Sequence, residues 1–249
     1  MNTCLSIERL LLKREKNGFR FTLQVPRLEV LAGQTLAVIG QSGCGKSTLL
    51  DILALILSPT SINTFKLHSA DGRAIDLNRA SPAFLAGLRG SEIGYVLQSG
   101  GLLSFLSVRD NILLPGKFLG MPLEKLERRV EQLARWLNIA EQLDKKPQHL
   151  SGGQRQRVAI ARSLIHSPRI VFADEPTAAV DQETAREIFA IFKEMARRMQ
   201  TALVVVSHDR DLVYEFADRI VTFSLERGEN SVISTLVETD FCGGGQHEG

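Results

Sequence analysis

Cysteine is scarce in this chain. Cys4, Cys44 and Cys242 lie far apart. An odd number at such spacing fits neither a disulfide framework nor a zinc site, and points to a reducing compartment. Excess charge is missing too. A net charge of +2 makes no electrostatic case for nucleic acid, and none is expected as a partner. Long apolar runs are absent: the stretch Leu49–Leu57 falls far short of a membrane span. The start, MNTCLSIERLLLKREKNG, lacks the h-region and cleavage site of a signal peptide. There is no internal repeat and no long heptad array. His68, His149, His166 and His247 show no ligand spacing. What remains, 44% hydrophobic and 23% charged residues, suits a soluble globular protein better than a disordered one. The length allows one large domain or two small ones.

What is present alternates. FRFTLQV (Phe19–Val25) has the polar–apolar rhythm of a half-buried strand, and QTLAVIG (Gln34–Gly40) ends in a buried-strand run. A helix is expected from Lys46 to about Leu57, stopped by Ser58-Pro59. Residues 60–97 read as short β-like pieces with turns such as Asp71-Gly72, closing on a strand at EIGYVLQ (Glu92–Gln98). Residues 104–167 are mostly helical. Pro122 suits a helix start, and Leu126, Val130, Leu133 and Leu137 form one apolar stripe. Strands return at RIVFAD (169–174), TALVVVS (201–207) and RIVTFSL (219–225), with helices at about 182–199 and 209–217 between them. Strand–helix–strand order argues for an α/β core with a parallel sheet and a helical insertion. The last residues, FCGGGQHEG, carry no core pattern and are expected to be mobile.

GQSGCGKST spans Gly40, Gln41, Ser42, Gly43, Cys44, Gly45, Lys46, Ser47 and Thr48. It matches G-x-x-x-x-G-K-[ST] between a strand and a helix, the context such a phosphate loop requires. Its glycines let the backbone turn N–H groups inward toward a polyphosphate at a helix N-terminus. Lys46 is expected at the β- and γ-phosphates and the Ser47 hydroxyl on Mg²⁺. A plain connecting turn is the alternative. Cys44 is either a thiol activated by the helix N-terminus or a small filler.

RIVFADEPT ends an apolar strand in two acids. Asp174, at the sheet's C-terminal edge, can hold Mg²⁺ through water, and Glu175, one residue on, can polarise an attacking water. A solvated acidic turn before Pro176 is the alternative. His208 follows VVVS and Gln98 follows EIGYVL. The first can reach a γ-phosphate or the water, and the second Mg²⁺ or the water. In HLSGGQRQRVAIARSL, Ser151, Gly152 and Gly153 offer a second anion site before a helix that Arg155, Arg157 and Arg162 punctuate. One nucleotide needs one cradle. The simplest use of another is on a second copy of the chain.

At this point the chain resembles the ATP-binding-cassette (ABC) ATPases. GQSGCGKST matches their Walker A, Gln98 the Q-loop, LSGGQ (Leu150–Gln154) the signature, IVFADE (Ile170–Glu175) Walker B and His208 the H-loop, in the family's order. The strand–helix pattern extends the match to roughly residues 4–228. The resemblance implies a P-loop NTPase fold: a parallel core sheet, a small antiparallel β-subdomain and an inserted helical subdomain at about 100–167. Residues 1–240 would form one domain and 241–249 a flexible tail. It further implies a homodimer sandwiching two ATP. Ser151, Gly153 and their neighbours Gly152 and Gln154 would meet the nucleotide held by the other copy's Lys46. Asp181 in PTAAVD would cross between sites, Glu175 would be the general base and His208 the γ-phosphate sensor. The family often stacks an aromatic on adenine. Phe19 and Phe21 are candidates, and neither sits in a clear match.

The resemblance also implies membrane permease subunits as partners, at the cytoplasmic face of the membrane. SGGLLSFLSVRDNILLP (Ser99–Pro115) would expose Leu102, Leu103 and Phe105 beside Gln98 for them, or bury them in the helical lobe. This segment looks most like bacterial lipoprotein-releasing and macrolide-exporter ATPases. PTAAVD and GQRQR depart from their usual PTGNLD and GERQR, so an importer ATPase stays open. A soluble ABC protein or an envelope-signalling cassette would carry the same ATPase chemistry.

Overall fold

The computed structural model describes residues 2–69, 73–178 and 180–239. The Asp71-Gly72 turn, Ala179 and the tail beyond Thr239 lie outside the described residues. Two long strands, β1 (Thr3–Lys16) and β2 (Phe19–Leu31), form an antiparallel hairpin. Short β4 (Thr64–His68) and β5 (Ala74–Asp76) extend it at one side. The parallel part comprises β3 (Thr35–Val38), β8 (Ala202–Val206), β7 (Ile170–Asp174) and β6 (Ile93–Val96). β9 (Arg219–Gly228) runs parallel to β3, and β10 (Ser231–Glu238) joins β9 to β2. The order is β5-β4-β1-β2-β10-β9-β3-β8-β7-β6, so the expected antiparallel unit and parallel core share one ten-stranded sheet.

Strand alternation divides the core. Ile170, Phe172, Val204 and Val206 face the hairpin side, where they pack with Leu23, Val25, Leu49 and Leu53. Val171, Ala173, Leu203 and Val205 face the helices. Both faces are covered, which is why these strands read as continuous apolar runs. The helices on the second face are α3 (Val108–Phe118), α4 (Leu123–Trp136), α5 (Gly152–Leu164) and α6 (Gln182–Met199). The stripe Leu126, Val130, Leu133 and Leu137 is fully buried there.

Three expectations change. The helix α1 (Lys46–Leu53) ends before Leu57. Leu55 takes φ 61, the N–H groups of Ile56 and Leu57 turn back to the Asp51 carbonyl, and Arg89 donates to the Leu55 carbonyl at 2.6 Å. Residues expected as β-like pieces contain a helix, α2 (Pro82–Glu92), started by Pro82 and capped by the Ser81 hydroxyl. Gly87 and Gly90 and a single buried residue, Leu88, hide its period. β10 was not foreseen. Its buried positions are Ser234 and Leu236, and a polar buried residue blurs the alternation. The last helix, α7 (Arg210–Phe216), lies where expected, its N-terminus capped by Asp209.

Candidate active site

Four neighbouring parallel strands deliver the site. Lys46 lies just beyond β3, His208 beyond β8, Glu175 beyond β7 and Gln98 beyond β6, all at one sheet edge. Gly45 starts α1 at φ 105, a left-handed value that L side chains avoid. A Cβ there would also sit 3.0 Å from Phe21 Cζ. With glycine at the N-cap, no side chain occupies the helix end, and the first N–H groups stay open. The Lys46 ammonium lies in the curl of the loop, donating to the carbonyls of Gly40 at 2.8 Å and Gln41 at 3.1 Å.

The loop is braced by residues the sequence did not single out. The Ser234 hydroxyl of β10, fully buried, donates to the Cys44 carbonyl at 2.6 Å. Arg227 of β9 donates to Gln41 Oε1 at 3.2 Å. Cys44 itself is 2% exposed, and burial pushes its thiol up. Its N–H donates to the Gln41 carbonyl. The side chain packs beneath Gly40, where a Cβ would meet its Sγ at 2.7 Å, which favours the small-filler alternative over the activated thiol. A cleft of about 400 Å³ opens over the loop, lined by Ser42, Gly43, Gly45, Lys46, Ser47, Thr48 and Glu175 with Arg14 and Phe21. Phe21 and Arg14 are cross-strand partners on the hairpin, so the cleft takes Phe21 of the two aromatic candidates, while Phe19 stands on the surface. No sequence pattern marks Arg14, which sits in a charged strand end.

Glu175 is the meeting point. Its backbone is left-handed at φ 45, and its N–H donates to the Val206 carbonyl. Its Oε2 accepts from Gln98 Nε2 at 3.2 Å and lies 3.4 Å from His208 Nδ1. Asp174 ends β7 beside Ser47. Burial pushes its carboxyl above the usual range, the Ser47 hydrogen bond opposes that, and the charges of Glu175 and Asp51 add to the rise. Tyr95 hydrogen-bonds Asp51, and its phenol is pushed up, first by burial and then by Asp51 and Asp174. A hydroxyl, a carboxylate and an amide supply hard oxygen donors of the kind Mg²⁺ prefers. The desolvated, mutually repelling acids would gain from a cation, so the residues fit one.

The signature residues are elsewhere. Ser151 to Gln154 do not line that cleft. Ser151 and Gln154 close a capping box: Gln154 N–H donates to Ser151 Oγ at 3.2 Å, and Ser151 N–H to Gln154 Oε1 at 2.9 Å. Gly153 has a reason within the chain, since a Cβ there would meet Thr184 Cγ2 of α6 at 2.8 Å. Asp181 caps α6, accepting from the Thr184 N–H at 2.9 Å and its hydroxyl at 2.8 Å, which holds its carboxyl low. The three arginines anchor α5. Arg155 donates to the Leu150 carbonyl, and Arg157 to Leu137 and Glu187. Arg162 donates to Gly100 and Gly101. Of the residues expected beside Gln98, Phe105 is 70% exposed, while Leu102 and Leu103 are partly buried, Leu102 against the helical core. No helix among the described residues is long and apolar enough to cross a membrane.

Known proteins resemble this chain in sequence and in fold. Residues 23–178 match the family model described as ABC transporter. The chain is 37% identical over 194 residues to the lipoprotein-releasing system ATP-binding protein LolD of Legionella pneumophila, covering 78% of this chain and 82% of that one. It is equally 37% identical over 194 residues to the macrolide export ATP-binding/permease protein MacB of Salmonella typhi, covering 78% of this chain. It spans only 29% of that longer relative. The fold matches a dimeric post-hydrolysis state of the ATP-binding cassette MJ0796 bound to ADP and Pi. The TM-score is 0.75 and the identity 29%, over 88% of this chain and 93% of that one.

Proposed function

This chain belongs to the ABC transporter family, as a cassette ATPase, and from that premise we propose that it hydrolyses ATP as a homodimer to drive separate membrane subunits of the lipoprotein-releasing or macrolide-exporting kind. The observation that carries this reading is the convergence of Gln98 and His208 on one oxygen of Glu175, above the loop that holds Lys46. An amide and an imidazole orient the carboxylate, and its other oxygen is left to take a proton from the attacking water. Lys46 and the α1 N-terminus hold the phosphates. Ser47, Asp174 and Gln98 would hold Mg²⁺, which would supply positive charge against the phosphates. Phe21 would take the base face, with Arg14 at the rim.

The signature helix stands off its own cleft, so Ser151, Gly152, Gly153 and Gln154 would complete the site of a second copy, with Asp181 at the crossing. The dimeric state of the MJ0796 cassette supports this arrangement. ATP shared across two copies binds the closed dimer better than the open one, and only that difference can drive closure. A groove of about 540 Å³ between α2, α3 and the end of α5, lined by Ala86, Gly90, Pro115, Phe118 and Leu119, supports docking of the membrane partner. Such docking would place the chain at the cytoplasmic face.

The test is the Glu175→Gln protein, purified with ATP from solubilised membranes. It should bind ATP, elute as a dimer and lose turnover by at least ~10²-fold, the scale of general-base catalysis. Normal turnover would refute the base assignment. A co-purifying permease with a large periplasmic domain supports the exporter reading, and a many-span permease without one would replace it by another transporter type.

A further inference from the structure

Gly100 and Gly101 are consecutive left-handed residues, at φ 73 and 56. They follow Gln98 by two and three positions. Their carbonyls turn to one side, and one guanidinium receives both: Arg162 Nη2 donates to Gly100 O and Nη1 to Gly101 O, each at 2.7 Å. Glycine is needed for the shape, because a Cβ at Gly101 would lie 2.8 Å from Leu97 Cδ1 in addition to the left-handed backbone. Arg162 is half-buried, and burial lowers its pKa, a direction that marks a charge taken out of water. A desolvated cation held by two neutral carbonyls is an expensive way to fix a loop, and a planar fork does it with a defined orientation.

Arg162 lies eleven residues after Ser151 on the same helix, about 16 Å along its axis. It also lines the groove between α2 and α3. One element therefore carries the signature serine at its start and the tether of the Gln98 loop near its end, where it lines that groove. Gln98 in turn donates to Glu175.

We propose that Arg162 is a positioning residue for hydrolysis: through Gly100 and Gly101 it makes the Gln98 loop follow α5, so that Gln98 reaches Glu175 only when the helix is seated. Steering by the groove or by the second copy then arrives at the reacting carboxylate through one side chain. This rests on the reading of Gln98 and Glu175 given above.

The experiment is steady-state ATP hydrolysis by the full chain over a range of ATP concentrations, in a double-mutant cycle of Arg162→Gln with Gln98→Ala. Arg162→Gln should lower kcat by about 10- to 100-fold, the scale of misplacing a reacting group by about an ångström. KM should stay within about twofold, because the phosphate loop is untouched. In the Gln98→Ala background the same change should have no further effect. Arg162→Lys, a point charge without the fork, should recover part of kcat. If Arg162→Gln does not fold, Gly101→Ala disturbs the same contact from the other side and should show the same non-additivity. Losses that multiply, an unchanged kcat, or a change confined to KM would overturn the proposal while leaving Gln98 in place. Wild-type turnover in Gln98→Ala alone would overturn both the proposal and the role given to Gln98.

Discussion

The helices α1 and α5 both begin on glycines, yet α1 begins open and α5 begins closed on itself. Gly45 leaves the N-terminus of α1 with no side-chain cap, inside a cleft that its own chain completes with Lys46 and Glu175. Ser151 and Gln154 cap α5 reciprocally, and Gly153 sits inside the helix, pressed against Thr184. The first is a cradle whose orphan donors await a ligand held by the same chain. The second is a stable, presented surface with only the N–H groups ahead of the first intrahelical bond left over. Glycine thus serves anion access in one place and close packing in the other. The same residue type in two helix starts does not imply two equivalent nucleotide sites per chain.

The comparison breaks most visibly at Lys46. Lys46→Ala removes a cation that would make charge-assisted bonds to phosphate, at ~1.5–3 kcal/mol each. ATP affinity should fall by about two orders of magnitude or more, measured by equilibrium binding of a fluorescent ATP analogue. Ser151→Arg probes the other helix. Binding of the analogue to the monomer should stay within about twofold of wild type. ATP-driven dimerisation in the Glu175→Gln background, read by size-exclusion chromatography with light scattering, should disappear. An intact dimer would remove the support for the shared site.

A smaller effect separates packing from ligand binding in the signature. Gly153→Ala brings a methyl to 2.8 Å from Thr184 Cγ2. Overpacking of this kind costs typically ~1–3 kcal/mol, read from urea unfolding of the nucleotide-free protein. Thr184→Ser deletes that methyl and keeps the hydroxyl that bonds Asp181, so the double variant should recover most of the loss. No rescue would mean that the clash is absorbed elsewhere.

How much of this was legible depended on whether a residue's role is local. Gln98, Asp174, Glu175 and His208 were readable because each ends or follows an apolar strand, and the parallel sheet brings strand ends to one edge; Lys46 was readable from the spacing of its glycine-rich loop. α6 was readable because a long apolar stripe, Ile188, Phe189, Phe192 and Met195, fixes its face. α2 was not, since two glycines and one buried leucine carry no period. The end of α1 was not, because the apolar run continues past the left-handed Leu55 that stops the helix. Ser234, Arg227 and Arg162 escaped for another reason: each bonds a residue far away in sequence, and no pattern records the pairing. Arg14 escaped within a charged strand end, where only the hairpin register sets it opposite Phe21. The arginines of α5 were noticed, but only the fold shows that Arg162 grips the Gln98 loop.

Asp174→Asn should give the smallest shift, and its sign carries the argument. Burial, Glu175 and Asp51 raise the folded-state pKa of Asp174 above its unfolded value, despite the Ser47 bond and Lys46. A raised pKa contributes stability that is fully present below the unfolded pKa and lost as pH rises through the folded one. At pH 7 the ionised carboxylate is therefore held at a cost to the fold, and asparagine keeps the shape and an acceptor for Ser47 without the charge. Without nucleotide, Asp174→Asn should melt above wild type at pH 7, and the gap should close as pH falls through the carboxylate range. At this chain length each kcal/mol is worth about 2–4 °C, which scanning fluorimetry resolves. With Mg²⁺ and ATP the order should reverse, because a desolvated carboxylate is worth its cost only when a cation meets it. A variant less stable than wild type at pH 7 without nucleotide would make Asp174 a structural carboxylate, and the open helix start of α1 would then lack its metal partner.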